Sequence, residues 1–592
     1  MDEPLLSIEE TFPVLKTFQG RDDLAKYGRN ALMLFALELA LDIDDIDSVA
    51  VSALTDGGDD KKCDLVYVNE DLRLAIVAQS YMSEKFKACA DANKAADLNT
   101  GASWLLSRHI DDLPESLKAA ATDLRGALSA GKIDRLYFWY VHNCTEHQNV
   151  ANELKTVELT ASAALKLQYQ TKVVQVEATE IGLNKLQEYF SAASLAILVQ
   201  DDFDIQVPGG YEIIGGGWQA FATAIPAGWL FDVFSNNQDK LFSANVRGYL
   251  GSRKSDSNIN QNIKISASKQ GTDFWAYNNG ITAIVNKYDF AANKPDSKAG
   301  KLSISGLSIV NGAQTTGAIG SLPDRPDDIT YVPARFIKCN DPETIKNITK
   351  FNNSQNKVEA ADFRSTDKHQ ERLRQEFEAL PYYNYRGGRR GGADDKIRRP
   401  SNLLASDTVA QLLAAFHQNP QLAYLEKGVI WESDDSYAKY FNDSTNAQHI
   451  IFLCSLYEAI KSAKASLVEK SGQNQLSAPN KKALSYLRYR GSLHLLVAAF
   501  GRTMETILQQ PVPSLFSLRF METVGIDKLA STWAPPVSIY LGLSEFLVPA
   551  VTDGLRRKEA IEESLKQFSA LLAATAMANQ AIYEKFADCV AL

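Results

Sequence analysis

The sequence contains no apolar run that approaches the roughly 20 residues needed to span a lipid bilayer. The opening segment, MDEPLLSIEE, lacks the order of charged, apolar and small residues that marks a signal peptide. Membrane and secreted classes are therefore disfavoured, and we expect a cytoplasmic protein with no membrane partner.

The six cysteines lack the spacing of a metal site, because they are scattered over the chain at positions 63, 89, 144, 339, 454 and 589. Scattered cysteines of this kind are typical of free thiols in a reducing compartment.

A general surplus of positive charge is also absent, since the formal net charge is −10. Binding to nucleic-acid phosphates needs clustered Lys and Arg, so such a contact must come from a local patch. The glycine-rich segment YRGGRRGGADDKIRRP is one, and Tyr383 and Tyr385 at its edge are candidates for base stacking. Asp394 and Asp395 partly neutralise it, so an ordinary exposed loop is the alternative. The predicted nucleic-acid ligands are Arg386, Arg389, Arg390, Lys396, Arg398 and Arg399.

The chain of 592 residues is long enough for several domains and shows no internal repeat. Residues 1–200 alternate helices with strands, which predicts an α/β sandwich. Residues 201–366 are rich in glycine and strand-like pieces, and we expect a central α/β domain. Residues 367–592 carry apolar periods near 3.6, which predict a mostly α-helical region. The predicted fold class is therefore α/β and multidomain.

The segment GGDDKKCDLVYVNEDLRLAIVAQSYMSEK, residues 57–85, reads as a turn followed by two antiparallel strands. Asp64 opens the first strand and Gln79 lies near the end of the second. Oxygen ligands suit Mg²⁺, which keeps several waters and needs one or two carboxylates. We expect Asp64, Gln79 and the Ser80 carbonyl to hold the metal, with Glu38 of the preceding helix reaching it directly or through water.

A metal-activated water would be oriented or deprotonated by a nearby Lys. Lys85 and Lys87 just after the second strand, and Lys94 on the following helix, are the candidates. Asp59 and Asp60 are acidic neighbours, but residues in a Gly-rich turn more often make the turn than bind a metal.

These residues resemble the PD-(D/E)xK nuclease superfamily, in particular its restriction-endonuclease-like branch, over roughly residues 24–178. Asp64 and Gln79 fall on its pattern of GG…D followed by Q-x-K. Tyr81 stands where the superfamily has Lys, and a phenol with a pKa near 10 is not an ammonium. The resemblance implies Mg²⁺-dependent phosphodiester hydrolysis with a displaced Lys, in a homodimer that cuts two strands. The alternative is a nuclease fold that has lost its chemistry and only binds.

Four phrases rich in amides, hydroxyls and glycines follow: LFSANVRGYLG, DFWAYNNGITAIV, LSIVNGAQTTGAI and KFNNSQNKVEAADF. Glycine permits close backbone approach to a ligand. IVNGAQTT reads as a strand, a tight turn and a helix start, which favours an anion site. Amide networks that only hold turns are the alternative. The predicted ligand- or phosphate-binding residues are Arg247, Asn278, Asn279, Asn311, Gln314, Thr315, Thr316, Asn353 and Gln355.

In this order the phrases resemble the AIPR (abortive infection phage resistance) family, whose pattern joins N-V-R-x-x-L-G, F-W-x-x-N-N-G-I-T, I-V-N-G-x-Q-T and N-x-x-Q-N. The resemblance covers roughly residues 203–442. It implies a bacterial anti-phage protein with a phage-derived trigger and a nuclease-like N-terminal domain. A weaker similarity to ParB-like and DndB-like proteins would imply a nucleotide- or DNA-binding central domain, although the Arg that ends their box is absent here.

We therefore expect a metal-dependent nuclease that acts in anti-phage defence on DNA or RNA. The alternative is a non-catalytic sensor that binds nucleic acid, a nucleotide or a phage protein through a degenerate nuclease-like domain.

Overall fold

The computed structural model describes residues 12–41, 43–55, 60–83, 87–169, 174–194, 197, 199–237, 241–242, 273–294, 297–339, 344, 348, 367–385 and 402–592. Within these ranges the strands form a four-stranded sheet, a seven-stranded sheet and two short two-stranded pairs. The structure is therefore a mixture of α and β elements, as the sequence predicts.

The first region is a four-stranded sheet between two layers of helices. The strand order is β1-β2-β3-β4, in which β1 is antiparallel to β2 and the other pairs are parallel. The predicted antiparallel pairing of the first two strands is thus confirmed. The elements are α1 (Pro13–Gln19), a 3₁₀ segment (Asp22–Asn30), α2 (Ala31–Leu41), α3 (Ile46–Ala53), β1 (Leu65–Asn69), β2 (Leu74–Tyr81), α4 (Ala92–Ser107), α5 (Glu115–Ser129), β3 (Arg135–His142), α6 (Gln148–Gln168), β4 (Gln175–Ile181) and α7 (Leu183–Ser194).

The two faces of this sheet bury separate apolar clusters, because successive side chains of a strand point to opposite faces. Val66 and Val77 belong to the cluster beneath α4, α5 and α6. Leu65 and Ile76 belong to the cluster beneath α1, α2, α3 and α7. Each strand residue near the candidate site can therefore be assigned to a face.

The amphipathic segment LAKYGRNALMLFALELAL, residues 24–41, predicts a single helix, and this prediction is wrong at Gly28. Gly28 has φ 52° and ψ −123°, so the 3₁₀ segment ends in a kink before α2 begins. The apolar residues of α2 are buried on all sides, which is typical of a core helix. The kink places Arg29 at the end of the sheet that carries Asp64.

The central region is a seven-stranded, mostly antiparallel sheet. Its strand order is β5-β10-β8-β11-β7-β6, and β9 also pairs with β10. Among its described strands, β8 and β11 are the pair that runs in parallel. Helices α8 and α10 pack on its core cluster. The elements are β5 (Val199–Val207), β6 (Gly210–Ile214), β7 (Trp218–Pro226), α8 (Ala227–Asn237), α9 (Phe274–Tyr277), β8 (Ile281–Val285), β9 (Lys287–Ala292), β10 (Gly300–Asn311), α10 (Ala313–Gly320) and β11 (Tyr331–Cys339).

The C-terminal region is a helical body whose core is built around Trp533, which contacts Phe452, Phe500 and Phe586. This agrees with the predicted helical periodicity. The elements are α11 (Lys368–Glu378), β12 (Asn384–Tyr385), β13 (Leu403–Leu404), α12 (Ser406–Phe416), α13 (Pro420–Leu425), α14 (Val429–Glu432), α15 (Asp434–Tyr440), α16 (Ala447–Gly472), α17 (Ala478–Arg488), α18 (Ser492–Leu508), β14 (Arg519–Phe520), α19 (Ile526–Gly542), α20 (Val548–Val551), α21 (Lys558–Ala574), α22 (Gln580–Ala587) and β15 (Val590–Ala591).

Among the described helices, none alone has the length and apolar composition to cross a membrane. One bent pair, Ile526–Gly542 with Ser544–Val551, passes the same test by length and composition only.

The N-terminal sheet region docks on the C-terminal helices through polar contacts. The Arg490 guanidinium donates to the carbonyls of Ala53 and Val66, at 3.4 and 3.3 Å. Lys461 Nζ lies 2.6 Å from Asp47 Oδ2. These pairs join residues more than 400 positions apart, so the docking could not be read from local sequence.

Candidate functional site

Asp64 and Gln79 meet across the β1–β2 pair. Leu65 pairs with Ala78, and Asp64 N donates to Ala78 O at 2.9 Å, so Asp64 stands opposite Gln79. By alternation, both continue the sheet face on which Val66 and Val77 are buried. The structure therefore brings together the two side chains that the sequence assigned to a metal.

The Asp64 carboxylate is fixed through both oxygens. Its Oδ2 accepts a 2.8 Å hydrogen bond from Ser80 N, and its Oδ1 accepts a 2.9 Å bond from Arg29 Nη2. Burial raises the pKa of Asp64, the Ser80 N–H and the Arg29 guanidinium lower it, and neighbouring Asp60 raises it again. Asp64 is thus a buried carboxyl whose charge depends on its cationic neighbour.

Gln79 carries an unsatisfied oxygen. The residue is 7% exposed, and its Oε1 has no hydrogen-bond partner among the described residues. A buried amide oxygen without a partner is costly, and native structures usually satisfy it with a protein group, a water or an ion. The atom therefore fits a ligand oxygen beside Asp64.

Arg29 is the residue at this site that sequence reasoning missed. Its Nη2 also lies 3.5 Å from Asp60 Oδ2, so one guanidinium spans two carboxylates. Ser80 Oγ donates to the Arg29 carbonyl at 2.7 Å, which ties this part of the main chain to β2. The available signal was the Gly-Arg-Asn step just before α2, a helix whose residues are apolar except for Glu38.

Glu38 lies on α2 in a buried ion pair with Arg21 at 2.9 Å. The Arg21 guanidinium also donates to Asp23. The sequence did not predict this pair, and it gives Glu38 a local partner. A role of Glu38 toward a metal stays a prediction, as does a role of the Ser80 carbonyl.

Of the three candidate lysines, the structure brings Lys87 to Tyr81. Lys87 Nζ donates to Tyr81 Oη at 2.9 Å, and it lies 3.8 Å from Asp91 Oδ1. The hydrogen bond to Tyr81 is the largest cause of a raised pKa for Lys87. Lys94 lies in the first turn of α4. Lys85 lies outside the described residues.

The C-terminal ends of β3 and β4 lie at the same end of the sheet as Tyr81, and their side chains are hydrogen-bonded to each other. His142 pairs with Tyr81 in the strand register, and its Nδ1 accepts a 3.3 Å bond from Cys144 N. With Nδ1 accepting, the proton lies on Nε2, which donates to Glu180 Oε1 at 3.0 Å. Glu180 also accepts from His147 N. The segment HNCTEH, residues 142–147, thus holds the ends of β3 and β4 together.

The set of metal donors is small. Among the described residues, no group of three or more His, Cys, Asp or Glu is placed to hold a metal ion. The carboxylates of Asp64 and Asp60 are both paired with the Arg29 guanidinium. The amide oxygen of Gln79 is a further atom that could bind a metal. Asp59 lies outside the described residues. The described donors fit a cation that keeps most of its own waters.

The central phrases meet at two glycine turns. Gly312 has φ 92°, and a Cβ there would lie 2.6 Å from the Gly280 carbonyl oxygen. Gly280 has φ 77°, and a Cβ there would lie 2.2 Å from the Pro333 carbonyl oxygen. Both positions need glycine for conformation and for space. The NNG and VNG phrases are therefore packed against each other.

The described polar side chains at these turns are largely used in holding them. Asn278 Oδ1 accepts from Gly280 N at 2.7 Å and from Thr315 Oγ1 at 3.2 Å. Thr316 Oγ1 donates to Gly312 O at 2.9 Å. These bonds favour the alternative in which the amides and hydroxyls hold turns.

The remaining central candidates lie at or near the protein surface, or outside the described residues. Asn279 is exposed, and Asn311 and Gln314 near the start of α10 are partly exposed. Trp275 and Tyr277 on α9 are 53% and 67% exposed. Arg247, Asn353 and Gln355 lie outside the described residues, so their predicted roles stay predictions.

The predicted nucleic-acid ligands of the basic segment, Arg386 to Arg399, all lie outside the described residues. Its two edge tyrosines are described and are buried. Tyr385 Oη donates to Gln370 Oε1 at 2.6 Å, and Tyr383 Oη donates to Val524 O. The expectation that they stack on bases is therefore wrong, because both rings are part of the helical core.

Residues 242–529 match the family model described as AIPR protein. The match begins after α8 and ends in the first turn of α19, so it covers the four central phrases, most of the second sheet and much of the helical body. The predicted AIPR resemblance, placed at roughly residues 203–442, is confirmed from residue 242 onward, and the match extends it to residue 529. The N-terminal sheet lies outside the match, and neither the curated proteins nor the solved structures contain a match to the chain.

Proposed function

With the AIPR match over residues 242–529 as the premise, we propose that the protein acts in anti-phage defence of the abortive-infection type. In this proposal the N-terminal sheet region is the effector and hydrolyses nucleic-acid phosphodiesters with a divalent metal. The central and C-terminal regions position it and respond to a phage-derived trigger.

The observation that carries the nuclease proposal is the pairing of Asp64 with Gln79. Asp64 places one carboxylate oxygen at the end of the β1–β2 pair, and Gln79 places a buried, unpartnered oxygen opposite it. The sheet around them, one antiparallel strand followed by parallel strands with helices on both faces, supports the expected restriction-endonuclease-like arrangement.

The donors present fit a hard divalent cation such as Mg²⁺, which prefers oxygen ligands and retains several waters. Asp64 and Gln79 would hold it, and a cation there would supply a water of lowered pKa and charge neutralisation at the phosphate. Ser80 N–H keeps the Asp64 carboxylate oriented. Lys87, held at the Tyr81 hydroxyl, would orient the attacking water through its ammonium group. A homodimer would allow cleavage of two strands.

A second candidate is a non-catalytic binder, and one observation favours it. A guanidinium already neutralises Asp64, and Tyr81 occupies the Lys position of the resembled motif. In that case the N-terminal region would bind a nucleic acid or a protein. The exposed Trp275 and Tyr277 beside the central turns would contact a nucleotide or a phage component.

A phage challenge with Asp64→Ala discriminates the two candidates. The nuclease proposal expects loss of protection, together with loss of metal-dependent degradation of plasmid DNA or RNA by the purified protein. Asp111→Ala is the matched control, because the Asp111 carboxylate is 86% exposed on the same region and pairs with the exposed His109. Protection that survives Asp64→Ala would refute the nuclease proposal and leave the binder.

A further inference from the structure

The guanidinium of Arg29 covers the carboxylate that the proposed function assigns to the metal. Arg29 Nη2 lies 2.9 Å from Asp64 Oδ1 and 3.5 Å from Asp60 Oδ2. The Arg29 side chain is 68% exposed and that of Asp64 is 7% exposed, so the cation lies on the solvent side of the carboxylate. A positive charge thus stands where a divalent cation would approach.

Asp64 has one oxygen to offer a ligand. Its Oδ2 is bound by Ser80 N, a main-chain donor within β2 whose position the strand fixes. Its Oδ1 is the atom that Arg29 binds. The unpartnered Oε1 of Gln79 lies across the strand pair and is independent support for a ligand here, because it is buried and unsatisfied. Arg29 therefore covers a candidate metal site that is formed by Asp64 Oδ1 and Gln79 Oε1.

The contacts of Arg29 allow its side chain to leave while its main chain stays. Ser80 Oγ holds the Arg29 carbonyl at 2.7 Å, and the kink at Gly28 sets the direction of the chain before α2. Among the described residues, the Arg29 guanidinium is paired with the carboxylates of Asp64 and Asp60. A guanidinium freed in this way can bind a phosphate through two parallel N–H donors.

We propose that Arg29 is an exchangeable cation: it neutralises Asp64 when no ligand is present and transfers to a backbone phosphate of bound nucleic acid. Asp64 Oδ1 then becomes available to a divalent cation, so metal and nucleic acid bind in a coupled manner. The recognised chemistry is the phosphodiester, which DNA and RNA share. This inference rests on the proposed function, since it concerns regulation of the same site.

Arg29→Gln tests the exchange in the full chain through two binding measurements. Calorimetric titration with Mn²⁺ alone is expected to give a Kd about tenfold lower than in the wild type, because the competing cation is gone. Anisotropy titration in EDTA, with a labelled phosphorothioate DNA duplex and an RNA of matching sequence in separate arms, is expected to give a Kd about threefold higher or more. The arm with the larger shift identifies the preferred nucleic acid.

The opposite directions of the two shifts distinguish exchange from a loss of structure, which would weaken both ligands. Arg73→Gln is the matched control, because Arg73 donates to Asp134 in the same region, and it should change neither Kd. Arg29→Lys keeps the charge and should keep the Mn²⁺ affinity close to that of the wild type.

Two results would overturn the inference in distinguishable ways. If Asp64→Ala abolishes Mn²⁺ binding while folded Arg29→Gln binds Mn²⁺ or the oligonucleotides as the wild type does, the exchange fails and the metal site stands. If neither the wild type nor Arg29→Gln binds Mn²⁺ in an Asp64-dependent manner, the metal site and the exchange fail together.

Discussion

Tyr424 in α13 donates a 3.0 Å hydrogen bond to Asp123 Oδ2 on α5, which joins the helical body to the N-terminal sheet region. Arg556 lies beside this bond, with Nη1 3.6 Å from Asp123 Oδ1 and Nη2 bound to Glu70. Burial raises the pKa of both Asp123 and Tyr424. The proposed effector region is thus attached to the remainder of the chain through a buried polar network.

The first prediction is that Asp123→Ala destabilises this attachment. The substitution leaves the buried Tyr424 hydroxyl without its acceptor and removes the Asp123 carboxylate from beside Arg556. We expect a loss of about 2–3 kcal/mol in the free energy of unfolding. Urea titration followed by tryptophan fluorescence measures it. Asp111→Ala, on the exposed side of the same region, should change it by less than about 0.5 kcal/mol. Equal effects of the two substitutions would show that the network does not hold the regions together.

The second prediction concerns pH and a pair of buried histidines in the helical body. His449 Nε2 lies 3.3 Å from His417 Nε2, and the other ring nitrogen of His449 donates to Leu518 O at 3.1 Å. Burial lowers the pKa of His449 to about 4 and, with the neighbouring His449, that of His417 to about 3. Folding therefore opposes protonation of this pair.

Stability from such histidines is present above the pKa of an unfolded His and is lost as the pH falls toward the folded value. We expect the free energy of unfolding to decrease between about pH 6.5 and pH 4, by roughly 3 kcal/mol for His449. Thermal unfolding across this range measures the decrease, and His449→Gln should reduce it. His109→Gln is the control, because His109 is exposed. An unchanged pH profile in His449→Gln would contradict the assignment.

The third prediction compares the effect on stability of replacing two glycines: Gly312 in the turn before α10, and Gly317 within α10. Gly312→Ala forces a side chain onto a residue with φ 92° and against the Gly280 carbonyl, and we expect a loss of about 2 kcal/mol or more. Gly317→Ala adds a methyl group where, among the described residues, no atom beyond the chain neighbours and the helix's own backbone lies within 4 Å. Inside a helix it should be neutral or stabilising by up to about 1 kcal/mol. Thermal unfolding of both variants checks this contrast. A similar effect of both would mean that the turn does not depend on glycine.

The sequence was most informative where a pattern is local. The strands CDLVYVN and LRLAIVAQSY pair as predicted, and this register alone places Asp64 opposite Gln79. The helical periodicity of the C-terminal region and the turns at NNG and VNG also agree with the structure. These features depend on neighbouring residues and on strand alternation, which one sequence contains.

The sequence was least informative where contacts join distant segments. Arg29 reaches Asp64 across 35 positions, and Arg556 reaches Glu70 across 486. Tyr383 and Tyr385 have the composition of base-stacking residues, but distant helices bury them. The periodicity of a sequence carries no information about such distant partners. These contacts depend on tertiary packing and could not be predicted from the sequence.

The last prediction tests the displaced lysine. Lys87 Nζ is bound at the Tyr81 hydroxyl, so if it serves the attacking water, Lys87→Met should lower metal-dependent cleavage by roughly 10²-fold or more. Adding Tyr81→Lys to that variant should restore much of the rate, because it returns an ammonium to the position that the nuclease motif uses. Lys155→Met is the control, since Lys155 pairs with Glu158 on the exposed side of α6. Single-turnover cleavage of a labelled oligonucleotide measures all four proteins. Full activity of Lys87→Met would shift the role to Lys94 or Lys85, because both remain within the segment that follows β2.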